Sequence, residues 1–152
     1  MEELINRVRS AEKKGLFGAK KLFTYGNIIS EVELAGIETE LGSKIPDEIR
    51  LLIIELGEGS INDLRIHGKD GIHPFDDECG EVDGFITFAS DEMGIYYAYS
   101  PHSDDPNKIY YVCHDSAGYC VVADDAEEFL AGFVNRGFSI VDYVADLDLI
   151  EI

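Results

Sequence analysis

The N-terminal residues place apolar side chains at helical spacing. Four of them share one face of a helix that we predict over residues 2–14, before Gly15: Leu4, Ile5, Val8 and Ala11. The stretch 16–29 follows neither the helical nor the strand period, and its structure is left unassigned.

Two further helices are predicted from their boundary signals. Ser30 and Glu33 form a capping box for a helix over residues 31–41, which Gly42 ends. Pro46 opens a third helix at its first turn, where a missing N–H is tolerated. The apolar stripe of this helix predicts four buried residues: Ile49, Leu52, Ile53 and Leu56. Two glycines are expected to end it: Gly57 and Gly59.

After the third helix, the apolar pattern changes from a period of about 3.6 residues to a period of about 2, which indicates strands. We predict five short strands, separated by turn-forming residues, at 64–66, 85–89, 95–99, 109–113 and 119–123. Asp124 and Glu127 then form a second capping box. The helix that follows has a strong apolar stripe and ends before Gly137: Ala126, Phe129, Leu130, Phe133 and Val134. The tail 138–152 is left open between helix and strand.

This order of elements predicts an α+β fold. Helices, then strands, then a helix are typical of one antiparallel sheet with helices on one face. We expect a single domain over residues 1–152, with a meander of five or six strands. N-terminal helices and a C-terminal helix would pack on the same face of the sheet.

The charge is large and unevenly distributed. The formal net charge is −19, and residues 51–152 hold four basic and twenty-two acidic side chains, against eight and nine in residues 1–50. Such a surface attracts a basic protein partner and disfavours direct binding to nucleic acid or membranes. Solubility alone is the simpler explanation of the charge. The charge also resists self-association, so we expect a monomer or a weak homo-oligomer.

The chain shows no signal for export. Its first residues lack the basic and apolar regions of a signal peptide, and no stretch reaches the roughly 18 apolar residues of a membrane span. We therefore expect a cytoplasmic protein. Three cysteines are an odd number in a chain of 152 residues, so free thiols are expected: Cys79, Cys113 and Cys120.

Candidate residues for chemistry are present but poorly spaced. Zinc would need ligands from His67, His73, Cys79, Cys113, His114 and Cys120, yet no Cys-x-x-Cys or His-x-x-x-His pair occurs. The acidic segment 73–78 lacks the spacing of an EF-hand loop. Cys113, His114 and Asp115 are consecutive on a predicted strand, so they are unable to form a chain of nucleophile, base and orienting acid. We predict no metal, no cofactor and no catalytic residues.

Three sequence blocks resemble the SUKH superfamily, which includes bacterial immunity proteins and fungal regulators of cell-wall glucan synthesis. The first block runs from Glu40-Leu41-Gly42 through Ile45-Pro46 to Gly57-Glu58-Gly59. The second joins residues 84–89 to Gly94-Ile95-Tyr96-Tyr97, and the third runs from Tyr110 to Leu130. Together they cover about residues 30–136. Ile45, Ile49 and Glu58 depart from the usual residues at their positions.

The resemblance implies a non-catalytic protein that binds and neutralises a cognate toxin. A nuclease with an LXG-type export domain is the finer expectation, since nucleases carry basic, phosphate-binding clefts. A regulatory or scaffold module like the fungal members is an alternative. A metal-dependent hydrolase using residues 73–78 is a second alternative.

Residues predicted to contact the partner lie between the predicted strands. Acidic side chains would steer association, and Phe75 would supply an exposed apolar anchor. The predicted set is Asp70, Phe75, Asp76, Asp77, Glu78, Glu81, Asp83, Asp91, Glu92, Asp104 and Asp105.

Overall fold

The fold was obtained as a computed structural model, which describes residues 1–75, 84–113, 118–145, 147 and 150–151. Five α-helices occur in these ranges: α1 (Glu2–Arg9), α2 (Glu31–Leu41), α3 (Asp47–Leu56), α4 (Ala126–Asn135) and α5 (Ile140–Val144). The longest of them, α2, has 11 residues. A bilayer crossing takes about 20 residues, so no helix in these ranges is able to span a membrane.

Ten strands occur in the same ranges. The first six are β1 (Glu12–Gly15), β2 (Gly18–Lys21), β3 (Phe23–Tyr25), β4 (Gly59–Ile61), β5 (Leu64–Ile66) and β6 (Ile86–Asp91). The last four are β7 (Tyr96–Tyr99), β8 (Ile109–Cys113), β9 (Gly118–Ala123) and β10 (Ile150–Glu151). Strands β1 and β2 form a separate hairpin. The others make one sheet in the order β10-β9-β8-β7-β6-β5-β4-β3, with every neighbouring pair antiparallel.

The two faces of the sheet carry separate apolar clusters. The larger cluster runs from Ile5 to Ile140 and includes residues of α1, α3, α4 and the sheet. In β7, Tyr97 and Tyr99 belong to this cluster, whereas Ala98 between them belongs to the smaller one. Successive strand residues point to opposite faces, so the smaller cluster lies on the other side of the sheet. The α+β class and the helical layer are therefore confirmed.

Helices α2 and α3 form as predicted. The Ser30 hydroxyl accepts a hydrogen bond from the Glu33 backbone N–H at 3.2 Å, and the Glu33 carboxylate accepts one from the Ser30 N–H. Gly42 has a φ of 69°, the left-handed conformation typical of a helix end. All four residues of the predicted stripe in α3 are fully buried.

The predicted helix over residues 2–14 is wrong beyond Arg9. Ile5 and Val8 are buried on one face of α1, but residues 12–21 form the β1–β2 hairpin, and all of them are exposed. Ala11 is 5% exposed, and its carbonyl accepts a hydrogen bond from Leu22 N–H at the base of the hairpin. Ala11 continues the apolar spacing of α1, but it is buried at the base of the hairpin and not in a further turn of the helix.

The predicted count of five or six strands is too low. The additional strands of the sheet are β3 in the unassigned stretch 16–29, β4 at the expected end of the third helix, and β10 in the undecided tail. Gly59 begins β4 instead of ending α3, and a Cβ atom there would lie 2.7 Å from the Phe23 ring. This glycine therefore permits the close approach of β3 and β4.

The last helices differ from the prediction in their caps. Asp125, not Asp124, caps α4, and its carboxylate accepts a hydrogen bond from Glu128 N–H at 2.7 Å. The predicted apolar stripe of α4 is buried throughout.

The undecided tail contains both α5 and β10. Helix α5 begins where the Asp63 carboxylate accepts hydrogen bonds from Ile140 and Val141 N–H, a contact across the chain that no local pattern reveals.

Candidate functional site

A polar cleft of about 680 Å³ opens beside β5, between the loop before α2 and the turn after β5. It is lined by residues from five separate parts of the chain, among them Asn27, Glu58, Arg65, His67, Lys69, Asp70, Ser90 and Tyr96. Its size matches that of a small-molecule site or of a pocket for a few partner side chains. We refer to it as the polar cleft.

Glu58 connects two walls of the polar cleft. Its carboxylate accepts a hydrogen bond from the Asn27 amide at 3.1 Å and pairs with the Arg65 guanidinium at 3.0 Å. The hydrogen bond from Arg65, with that from Asn27 second, lowers the pKa of the Glu58 carboxyl. The side chain of Arg65 is 60% exposed. Among the residues that the structure describes, only Glu58 accepts a hydrogen bond from this guanidinium, so its other N–H groups are available to an incoming acceptor.

Glycines bring the walls of the cleft close together. A Cβ atom on Gly26 would lie 2.2 Å from the Glu58 carbonyl oxygen, and one on Gly68 would lie 2.8 Å from the Glu58 carboxylate. On Gly71, it would lie 2.7 Å from the His67 ring. A larger residue at any of these positions would push Glu58 or His67 out of place.

His67 forms the floor of the cleft and is 8% exposed. Its Nδ1 lies 2.8 Å from the Gly71 carbonyl oxygen, which only accepts hydrogen bonds, so Nδ1 carries the proton. Its Nε2 lies 2.9 Å from the Ser90 hydroxyl and accepts from it in this tautomer. Burial lowers the pKa of His67. Burial thus favours the neutral ring, and its two hydrogen bonds fix its orientation. These contacts explain His67 as a structural residue.

Phe75 does not supply an exposed anchor, and that prediction is wrong. The side chain is 5% exposed and packs with Phe85, Ala98 and Val112 in the smaller apolar cluster. Its backbone N–H donates to the Phe85 carbonyl at 2.8 Å. Its ring stands edge-on to Tyr96 at 5.8 Å between centroids. Phe75 therefore supports one wall of the cleft from behind.

Asp91 is also not an exposed contact residue. It is 9% exposed, and its carboxylate accepts hydrogen bonds from the backbone N–H groups of Met93 and Ile95. The Tyr97 hydroxyl donates to the same carboxylate at 3.2 Å. Burial, with the Asp91 charge second, raises the pKa of Tyr97. Asp91 thus holds the β6–β7 turn together.

The other predicted acids that the structure describes do not form one patch. Glu92 is exposed at the β6–β7 turn, whereas Asp104 is exposed and Asp105 half-buried in the loop after β7. Ser90 pairs with Tyr96 and Ile86 with Tyr99, so the turn and the loop lie at opposite ends of the antiparallel strands. Asp70 is exposed at the rim of the polar cleft. Five predicted acids lie outside the described residues: Asp76, Asp77, Glu78, Glu81 and Asp83.

The described part of the cleft is mixed in charge. It is lined by three acidic residues, Glu33, Glu58 and Asp70, and by two basic ones, Arg65 and Lys69. Within the described ranges, no three His, Cys, Asp or Glu side chains converge as a metal site would require. Cys113 and Cys120 carry free thiols, and burial raises the pKa of Cys120. Cys79 and His114 lie outside the described ranges. That the protein binds no metal therefore stays a prediction.

Sequence reasoning did not find the polar cleft as a site. Its lining comes from segments that are more than sixty residues apart, Asn27 and Tyr96 at the extremes. One signal was present in the chain: Gly57-Glu58-Gly59 and Gly68 to Gly71 place glycines around charged residues. The first group ends the predicted third helix and closes the first family-like block, and neither role indicates a cleft.

Comparison with known proteins gives one match. The model of the SMI1 / KNR4 family (SUKH-1) matches residues 28–132, which include α2, α3 and the strands from β4 to β9. Members of this family are generally non-catalytic binding proteins with a protein partner. No curated protein and no solved structure matches the chain significantly.

Proposed function

The chain belongs to the SMI1/KNR4 family (SUKH-1), and on that premise we propose that it is an immunity protein that binds and neutralises a toxic protein. It acts without catalysis, by covering the active site or the substrate path of its partner. The observation that carries the proposal is the family match combined with twenty-two acidic against four basic side chains after residue 50. Such a surface complements a basic cleft of the kind that nucleases use for phosphate.

The contact surface that we propose lies at the rim of the polar cleft. Asp70 is exposed at this rim. His73 also lines the cleft, and the acidic residues 76–83 follow it closely in sequence. We propose that the exposed acids here meet the basic groups of a nuclease. Asp91 and Phe75 act only as support.

Charge complementarity of this kind raises association rates toward about 10⁸ to 10⁹ M⁻¹ s⁻¹ at low salt. An antidote benefits because it must reach its target before the substrate does. The open guanidinium donors of Arg65 add directionality, since a guanidinium fork recognises carboxylates in a fixed geometry. A mixed-charge cleft beside an acidic rim would thus select one partner among many basic proteins.

The test is binding and neutralisation of the toxin domain encoded by the neighbouring gene. The wild-type chain should bind it with 1:1 stoichiometry in calorimetry and restore growth on co-expression. A variant with Asp70→Asn, Asp76→Asn and Asp77→Asn should weaken binding by at least about a hundredfold, since paired interface charges contribute more than 1 kcal/mol each.

The matched control neutralises three exposed acids of the helices, with Glu2→Gln, Glu3→Gln and Glu40→Gln. Both variants change the net charge equally, so a difference between them reports where the charges lie. Equal losses of affinity would show that only the total charge matters, against the proposed surface. A wild-type chain that neither binds nor neutralises would end the immunity role. A growth or cell-wall defect on deletion, without any toxin, would point to a regulatory partner instead.

A further inference from the structure

The β1–β2 hairpin projects from the molecule with an apolar tip. Every residue of both strands is exposed, and the two residues of the turn, Leu16 and Phe17, are 95% and 99% exposed. Tight hairpin turns are usually made of small polar residues, because large apolar side chains there gain no burial. The hairpin precedes the family-matched residues 28–132. The proposal made for it below does not rest on the immunity function.

The hairpin is positively charged in an otherwise strongly negative chain. Residues 12–21 hold four lysines and one glutamate, a formal charge of +3, so the remainder of the chain carries −22. The register sets Lys13 directly opposite Lys20, with Lys14 one position nearer the tip. Like charges at opposed positions destabilise a strand pair. An anionic surface around the hairpin would relieve this repulsion.

The base of the hairpin is anchored, which gives the tip a defined direction. Ala11 and Phe23 are 5% and 6% exposed on either side, and Leu22 N–H donates to the Ala11 carbonyl at 2.9 Å. Four lysines of the hairpin line one pocket with Thr24, Ser60 and Asn62, and the described part of that lining contains no acidic residue. The surface next to the hairpin therefore does not carry the negative charge that dominates the rest of the chain.

We propose that this hairpin binds the surface of a lipid bilayer that contains anionic lipids. Leu16 and Phe17 enter the boundary between headgroups and acyl chains, while the lysines remain at the level of the phosphates. A nucleic acid offers stacking for Phe17 but nothing for the aliphatic Leu16. A bilayer accommodates both side chains and needs no shape complementarity. The net charge of the chain disfavours membranes, but the hairpin presents its own positive charge to an anionic surface.

The experiment measures partitioning of the full chain onto vesicles. The sequence contains no tryptophan, so Phe17→Trp places a single reporter at the tip. Its emission should shift to the blue with vesicles of phosphatidylcholine containing phosphatidylglycerol, but not with pure phosphatidylcholine. In sedimentation of the otherwise wild-type chain, replacing Lys13, Lys14 and Lys20 by Gln should lower the partition coefficient by about a hundredfold, at roughly fivefold per lysine. Leu16→Ser with Phe17→Ser should also abolish sedimentation.

The matched control replaces Lys44, Lys108 and Arg136 by Gln, an equal change of charge outside both the hairpin and the polar cleft. It should leave the partition coefficient within about threefold of the wild type, because surface potentials fall off within a screening length. An equal loss in both triple variants, or no preference for anionic vesicles, would overturn the proposal. Binding to a single-stranded oligonucleotide with no sedimentation of vesicles would assign the hairpin to nucleic acid instead.

Discussion

At the scale of single residues, burial decides the role of several polar and aromatic side chains. Asp91 and Phe75 were expected at a partner interface, yet both are less than a tenth exposed. His67 is buried as well, and both ring nitrogens have hydrogen-bond partners. Residue type alone does not separate a contact residue from a structural one, because the same carboxylate serves a turn or a partner depending on what surrounds it.

The buried His67 should make stability depend on pH. Its pKa is lowered by burial in the fold, so below the ordinary value of about 6.5 the unfolded chain binds a proton that the folded chain does not. Stability should therefore fall as the pH decreases from about 6.5 toward the lowered pKa. The free energy of unfolding can be measured in urea between about pH 5 and pH 8. It should change less with pH for His67→Gln than for the wild type. The same dependence on pH in both chains would contradict a buried, neutral imidazole at position 67.

Phe75 and Phe17 form a natural pair for testing burial. Phe75→Ala should destabilise the fold by about 3–5 kcal/mol, because it opens a cavity in the smaller cluster. Phe17→Ala makes the same chemical change at a side chain that is 99% exposed, and should alter stability by less than about 0.5 kcal/mol. Denaturant unfolding monitored by circular dichroism gives both values. A small effect at Phe75 would restore it as a candidate surface anchor.

At the scale of secondary-structure elements, glycines show where two elements touch. In α4, a Cβ atom on Gly132 would lie 2.2 Å from the ring of Tyr143 in α5, whereas one on Gly36 of α2 meets nothing within 4 Å. The Tyr143 hydroxyl donates in turn to the Val122 carbonyl of β9 at 3.2 Å. Tyr143 thus fits between α4 and the sheet only because position 132 has no side chain.

These two helical glycines should respond oppositely to alanine. Gly36→Ala should stabilise the protein by about 0.5–1 kcal/mol, because alanine loses less backbone entropy in a helix. Gly132→Ala has the same propensity gain but should destabilise by about 1–3 kcal/mol overall, through displacement of Tyr143. Thermal unfolding of both variants measures the difference. Stabilisation by both would mean that α5 is free to move away from α4.

At the scale of the whole molecule, the distribution of charge matters more than its sum. The net charge of −19 suggests a uniformly repulsive surface, whereas the polar cleft is mixed in charge and the hairpin is basic. The antiparallel register also separates Glu92 from Asp104 and Asp105. A molecule of this kind can present different surfaces to different partners, the basic hairpin at one place and the cleft of mixed charge at another.

The excess of negative charge should weaken the fold at low ionic strength. Raising NaCl from about 0.01 M to about 0.1 M shortens the screening length from about 30 Å to about 10 Å and reduces self-repulsion. The melting temperature in calorimetry should therefore rise. KCl at the same concentrations should act equally, since screening does not depend on the identity of the cation. A melting temperature that falls with salt would show that the ion pairs, such as Arg50 with Glu38, outweigh the repulsion.

Local patterns determined much of the fold. The stripes of α3 and α4, the capping box of α2 and the alternation in β6 to β9 are each written within about ten residues, and the three family-like blocks led to the SUKH family that the match confirms. Only the tertiary structure decided the hairpin, the short edge strands, the burial of Phe75 and Asp91, and the polar cleft. These features depend on contacts between distant segments, such as Glu58 with Asn27 and Asp63 with Ile140. Hydrophobic periodicity reports which face of an element is buried, but not which other element covers it.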